Sequence, residues 1–96
     1  MNYRYGSKRD LREDYEVLRD EFYEVQERCR REISLANSKA NAAYSRWQRK
    51  RGSREDYEEE QTEFRAVQDR CRREVDRANS RAEAAYARWR RSLSNS

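Results

Sequence analysis

The stretch VQERCRREI at residues 25–33 returns as VQDRCRREV at residues 67–75, which is 42 positions further along the chain. The same shift aligns residues 12–49 with residues 54–91, and 24 of these 38 residue pairs are identical. No insertion disturbs the register of the alignment. The sequence is therefore predicted to be a duplication of one structural unit.

Each copy carries the apolar stripe of a single helix. In the first copy the apolar residues follow one another at three or four positions, with a mean spacing of 3.6, which keeps them on one face of an α-helix. These residues are Leu11, Tyr15, Leu18, Phe22, Val25, Cys29, Ile33, Ala36, Ala40, Ala43 and Trp47. The second copy keeps the stripe from Tyr57 to Trp89, with Glu60 at the position of Leu18. The chain has no proline and two glycines, so the composition also favours long helices.

A turn is predicted where the stripe is interrupted, after Trp47, by QRKRGSRED at residues 48–56. Gly52 is expected to take the left-handed conformation that ends a helix. Ser7 and Ser53, each with an aspartate three residues later, fit the start of a capped helix. The predicted organisation is a flexible tail at 1–6, helix 1 at 7–51, a turn at 52–53, helix 2 at 54–92 and a tail at 93–96.

Charge predicts the direction in which the helices pair. Each copy is acidic in its first half and basic in its second, so antiparallel packing sets unlike charges side by side. With Gly52 as the pivot, large residues face small ones in the middle and aromatic rings meet at both ends. The predicted pairs are Phe22 with Ala82, Phe64 with Ala40, Tyr15 with Trp89, Tyr57 with Trp47, Cys29 with Val75 and Cys71 with Ile33. The predicted fold is an all-α, coiled-coil-like antiparallel hairpin with an approximate two-fold axis.

The same pivot places Cys29 and Cys71 about four residues, roughly 6 Å, out of step along the helix axes. The sequence therefore predicts two buried free thiols, although a modest shift would allow a bridge. A redox or metal role is the alternative. The chain has no histidine, and two cysteines alone are a poor ligand set, so neither a metal nor a cofactor is expected.

Helix 1 is expected to pack against more than helix 2. A two-helix seam shields one face of each helix, and an isolated hairpin of this size is expected to be only marginally stable. Four apolar residues of helix 1 become charged in the second copy: Val17, Leu18, Tyr23 and Leu35 correspond to Glu59, Glu60, Arg65 and Arg77. They predict self-association into a homodimeric four-helix bundle, or binding to another protein. The alternative is that they are scattered surface residues.

Duplicated arginines give a second candidate surface. It comprises Arg28, Arg30, Arg31, Arg70, Arg72 and Arg73, together with Arg49, Lys50 and Arg51 at the turn. They are interpreted either as a solvated face that pairs with acidic residues or as contacts to an anionic partner such as RNA or DNA. The net charge of +4, with acids interleaved among the bases, gives weak support to nucleic-acid binding.

The leading hypothesis is a non-enzymatic, self-associating interaction module, such as an adaptor or an inhibitor of a larger complex. An RNA- or DNA-binding hairpin is one alternative, and an engineered helical bundle without a natural function is another. Enzymatic activity is not expected, because the chain has no histidine and a hairpin offers no deep cleft. No apolar run is long enough to span a membrane and no signal-peptide core is present, so a cytoplasmic location is predicted.

Overall fold

The protein contains two long helices, according to a computed structural model that describes residues 8–94 and, for side chains, residues 9–94. Helix α1 spans Lys8–Gln48 and helix α2 spans Arg54–Ser94. They pack against each other as a helical hairpin, which confirms the all-α prediction. The predicted tail at 1–6, the Ser7 cap and residues 95–96 lie outside the described residues. Over the described chain, neither helix carries an apolar stretch that could cross a bilayer.

The packing of the two helices divides the chain into two compact units. The termini unit comprises Met1–Gln26 and Glu74–Ser96, and the turn unit comprises Glu27–Arg73. In the termini unit Glu21 pairs with Arg81 at 3.7 Å, and in the turn unit Glu32 pairs with Arg70 at 2.6 Å. The Glu21–Arg81 pair joins the acidic half of α1 to the basic half of α2, as the charge pattern predicts for antiparallel helices. The Glu32–Arg70 pair does not follow that pattern, because Glu32 is the single acid among residues 28–51.

The core between the helices consists of small side chains. The buried apolar residues are Cys29, Ala36, Ala40, Ala43, Val67 and Cys71 in the turn unit, and Ala82 and Ala85 in the termini unit. Larger members of the stripe, including Phe22, Phe64 and Trp47, are only half-buried. Alanine and cysteine occupy the seam because their short side chains let two helix backbones approach closely, and the large side chains are left at its margins.

Matching aromatic pairs lie in both units. The rings of Tyr15 and Trp89 stack with centroids 5.8 Å apart and 21° between their planes. The rings of Tyr57 and Trp47, at the equivalent positions of the repeat, are also 5.8 Å apart, with 19° between their planes. Both of these pairings are predicted from the sequence, and the structure confirms them.

Two further tyrosines join these pairs. Tyr86 contacts Tyr15 with centroids 5.1 Å apart, and Tyr44 contacts Tyr57 at 5.2 Å. Both lie outside the apolar stripe and were missed as packing residues. The signal was the AAY triplet, which occurs at residues 42–44 and again at 84–86.

The cysteines form a disulfide, so the prediction of free thiols is wrong. Cys29 and Cys71 are bonded, with their Cα atoms 5.6 Å apart. The predicted register takes Gly52 as the pivot and is the one in which the large aromatic rings meet, and helical side chains lean toward the N-terminus of their own helix. In an antiparallel pair, two long side chains therefore make contact when their Cα atoms are displaced from each other along the helix axes. Cysteine side chains are short, so two cysteines bond only when their Cα atoms lie at the same height along the axes. The predicted partner of Cys29 is Val75, which lies four positions after Cys71. The predicted partner of Cys71 is Ile33, which lies four positions after Cys29.

The turn between the helices begins earlier than predicted. Helix α1 ends at Gln48, and the Arg51 N–H donates to the carbonyl of Arg46 at 2.8 Å while the Lys50 N–H donates to that of Trp47 at 3.0 Å. Together with a φ of 60° at Lys50, these bonds form a Schellman motif, which satisfies the last carbonyls of the helix. Lys50, rather than Gly52, therefore takes the left-handed conformation.

Gly52 serves the turn through its lack of a side chain. A Cβ atom built on Gly52 would lie 3.1 Å from the Cβ atom of Arg46, so the glycine permits a close approach to α1. Ser53 then caps α2, because its Oγ accepts a hydrogen bond of 3.0 Å from the Asp56 N–H. Helix α2 begins at Arg54, as predicted, and extends to Ser94, past the predicted end at residue 92.

Candidate interaction surface

The four residues predicted to mediate self-association lie in different surroundings. Val17 and Tyr23 are 57% and 56% exposed in the termini unit, where Leu18 is half-buried. Leu35 is 59% exposed and belongs to the turn unit. Val17 and Tyr23 are separated by six positions, which places them about 120° apart around the axis of α1. These two side chains therefore lie on different faces of the helix and do not form one patch.

Tyr23 lies in a groove between α1 and α2 of the termini unit. The groove has a volume of about 360 Å³. The residues that line it are Tyr15, Arg19, Phe22, Tyr23, Asn79, Ala82, Glu83 and Tyr86. Tyr86 is 40% exposed, and the rings of Phe22 and Tyr23 lie 5.7 Å apart. Aromatic surface is therefore open to solvent along both helices of this groove.

A cation lies on the α1 side of the groove. The guanidinium of Arg19 donates hydrogen bonds to Asp20 at 3.3 and 3.4 Å and lies over the ring of Tyr15, 5.7 Å from its centroid. The hydrogen bond to Asp20 raises the pKa of Arg19 above its ordinary value. Arg19 therefore carries its positive charge throughout the physiological pH range.

An anion lies on the α2 side of the same groove. The Nδ2 group of Asn79 donates a hydrogen bond of 2.9 Å to Oε1 of Glu83, and this bond holds the carboxylate in place. Within residues 9–94, Glu83 has no cationic partner at ion-pair distance. Its second oxygen is therefore available to an incoming donor.

The equivalent positions of the turn unit carry different groups. Gln61 and Asn41 take the places of Arg19 and Glu83, and Arg65 takes the place of Tyr23. The amide of Gln61 donates a hydrogen bond of 3.1 Å to the hydroxyl of Tyr57, within its own helix. The pairing of a cation with an anion is thus particular to the groove of the termini unit. Neither Arg19 nor Glu83 was singled out from the sequence, although both differ between the two copies.

No protein family, curated protein or solved structure matches this chain. The contacts of its own residues are the basis for any inference of function.

The predicted arginine surface is partly engaged in internal ion pairs. Arg30 and Arg31 both pair with Glu27, at 3.3 and 3.6 Å, and Arg70 pairs with Glu32 across the helices. Arg28 also has an interaction partner. These four side chains fit the interpretation of a solvated face that pairs with acids.

The remaining basic residues of that surface are exposed. Arg72 and Arg73 form no ion pair with a described residue, because Asp69, at the position of Glu27, has a side chain one methylene shorter. At the turn, Arg49, Lys50 and Arg51 are exposed, and no acid of residues 9–94 lies within ion-pair distance of them. These five cations are the part of the predicted surface that is open to an anionic partner.

The cysteines do not offer a metal site in this covalent state. Both sulfur atoms belong to the disulfide, and a metal requires the thiolate. Since the residues of the groove include one carboxylate, Glu83, they do not supply a metal ligand set either.

Proposed function

We propose that this protein is a non-enzymatic interaction module that associates with a second copy of itself into a four-helix bundle. In this role it presents a helical surface to a protein partner, as an adaptor or as an inhibitor of a larger complex. The observation that carries the proposal is the small size of the residues in the core.

The hairpin buries little of its apolar material. Among residues 9–94 the buried residues are alanines, cysteines and one valine, while Val17, Tyr23, Leu35, Tyr44, Tyr86 and Leu93 remain at least 40% exposed. Burial of a large apolar side chain contributes about 1.5–3 kcal/mol. A single copy leaves these large side chains exposed, so it does not gain the main stabilisation that their burial would provide. A second copy that covers the exposed side chains of one face would recover part of it.

Enzymatic activity is not part of the proposal. The sequence lacks histidine, which is the side chain most often used for proton transfer at neutral pH. The groove of the termini unit is a surface channel lined mainly by aromatic side chains, a composition suited to binding another apolar surface.

Self-association is tested by light scattering and sedimentation of the oxidised protein at micromolar concentrations. A mass of twice 11.8 kDa is expected. A mass of one chain at every concentration would contradict the proposal, because the exposed apolar residues would then be stable in water without a partner.

Nucleic-acid binding is a second candidate, supported by the five cations that form no ion pair with an acid among residues 9–94. Binding to generic RNA and duplex DNA should weaken as salt rises if these cations contact phosphates. The repeat provides a matched control. Replacing Arg72 and Arg73 by glutamine should weaken binding more than replacing Arg30 and Arg31, because Glu27 already pairs with the latter two.

The covalent state of the cysteines bears on the cellular location. In the cytoplasm, the location predicted from the sequence, glutathione and thioredoxin keep most thiols reduced. The Cys29–Cys71 bond is typical of an oxidising compartment instead. Thiol labelling of the protein, denatured without reductant directly after isolation from its cell, distinguishes the two. A reduced cytoplasmic protein should give two reactive thiols and an oxidised one should give none, and denaturation is needed because both cysteines are buried.

A further inference from the structure

We propose that the groove of the termini unit is the surface on which the second copy docks, with Arg19 of each protomer opposite Glu83 of its partner. This inference rests on the proposed self-association and specifies which face of the hairpin carries it. The inference places the interface on the face of α1 that carries Tyr23, rather than on the face that carries Val17.

Arg19 and Glu83 lie level with each other along the groove. Glu21 and Arg81 form an ion pair across the helices of this unit, at 3.7 Å. Arg19 precedes Glu21 by two positions, and Glu83 follows Arg81 by two. Because the helices are antiparallel, a step back along α1 and a step forward along α2 cover the same distance in the same direction along the helix axes. One rim of the groove is therefore positive at the level where the other rim is negative.

This arrangement is self-complementary under one two-fold axis. An axis that runs along the groove places α1 of one protomer over α2 of its partner, and it leaves the level of each residue unchanged. Arg19 of each protomer then meets Glu83 of the other, so that two ion pairs form at once. An axis across the groove at the level of Arg19 would instead place α1 over α1 and bring like charges together, which is unfavourable.

The aromatic residues are covered by the same arrangement. Tyr15 and Tyr86 are nearly level, with ring centroids 5.1 Å apart within one protomer, so Tyr15 of each copy comes to lie over Tyr86 of the other. Tyr23, at 56% exposure, would be buried against the opposite helix. Edge-to-face and offset contacts between such rings contribute beyond the burial of their area.

The internal contacts of the two charged groups do not oppose docking. Arg19 pairs with its neighbour Asp20 at the surface, and ion pairs of that kind contribute little to stability. The Asn79 hydrogen bond uses one oxygen of Glu83 and orients the other. Arg19 can therefore change partner at low cost, while Glu83 is already held in position.

The test exchanges the charges. Sedimentation velocity is measured for the wild type, for Arg19→Glu, for Glu83→Arg and for the double variant, with circular dichroism to confirm that each is helical. Each single variant places like charges opposite each other twice per dimer, so the dissociation constant should rise at least about tenfold. The double variant restores both pairs and should return to within about threefold of the wild type.

Asn41→Arg is the matched control, because Asn41 is the equivalent of Glu83 in the other copy of the repeat. It should leave the dissociation constant within about threefold of the wild type. Val17→Glu, on the other side of α1, should have as little effect.

The possible outcomes separate the two proposals. A wild type that is monomeric at all concentrations refutes the self-association itself. A wild-type dimer that tolerates both single reversals, or that the double variant does not restore, refutes the Arg19–Glu83 pairing while self-association stands. A dimer that Val17→Glu dissociates places the interface on the other side of α1.

Discussion

Lys50 is the residue on which the local geometry of the turn depends. Its φ of 60° lies in the left-handed region, where a Cβ atom crowds the following carbonyl oxygen. The motif that ends α1 requires this conformation at one position, and glycine adopts it without that cost. The glycine of this turn stands two positions later, where it permits the close approach to Arg46.

Replacing Lys50 by glycine should therefore stabilise the protein. The strain relieved is about 1–2 kcal/mol, and the greater freedom of glycine in the unfolded chain offsets part of it, so a gain of about 1 kcal/mol in the free energy of unfolding is expected. Urea denaturation measures it. Arg51→Gly, in the same turn but without positive φ, should instead destabilise by about 0.5–1 kcal/mol. Equal effects of the two substitutions would argue against strain at Lys50.

At the scale of the helices, the alanine seam determines how closely α1 and α2 pack. Ala43 is 1% exposed in the turn unit, while its neighbour Ala42 is exposed on the same helix. The two positions have the same side chain and the same helix propensity and differ only in what they contact. They therefore separate the effect of packing from the effect of helix formation.

Ala43→Leu should destabilise the hairpin by about 1–3 kcal/mol, because the seam has no room for three further carbon atoms. Ala42→Leu should change stability by less than about 0.5 kcal/mol. Chemical denaturation of both variants in the oxidised state makes the comparison. If the two leucines were equally tolerated, the helices would not be in close contact at Ala43.

The sequence predicts the helices well and their register less well. The duplicated stripe indicates two helices, the charge gradient indicates their direction, and the Tyr15–Trp89 and Tyr57–Trp47 pairs are recovered. The disulfide was missed because the lean of helical side chains displaces ring contacts from the level of the backbones. In an antiparallel duplication one position near the centre of the repeat must face its own copy, and Cys29 is the residue of the apolar stripe nearest the centre of residues 12–49.

The candidate groove was predicted in part. Tyr23 stands out in the sequence because its copy is Arg65, and the structure places it in the aromatic groove. Val17 stands out for the same reason but lies on another face of the helix. Comparison of the copies shows which positions differ, whereas the helix angle and the neighbouring helix determine which of them lie together. Arg19 and Glu83 could be recognised only once both helices were in place.

At the scale of the whole chain, the disulfide links two residues that are 42 positions apart. A cross-link of that span removes conformational entropy from the unfolded chain, which corresponds to about 4 kcal/mol of stabilisation. Reduction should therefore lower the free energy of unfolding by about that amount, as measured by urea denaturation with and without reductant. The Cys29→Ala, Cys71→Ala double variant is the control and should not respond to reductant. If reductant left the free energy of unfolding of the wild type unchanged as well, the bond would not form in solution.

The proposed association of two copies would also link the stability of the fold to the protein concentration. If the unfolded chains are monomers and the folded chains are dimers, dilution favours unfolding by mass action. Raising the concentration of the oxidised protein from roughly 1 µM to roughly 100 µM should raise the thermal midpoint by about 5 °C, given the usual unfolding entropy of chains of this size. Arg19→Glu should lower the midpoint at each of these concentrations, because like charges would then oppose each other in the groove and weaken the dimer. A constant midpoint for the wild type over this range would mean that each hairpin folds alone, with its aromatic groove exposed to water.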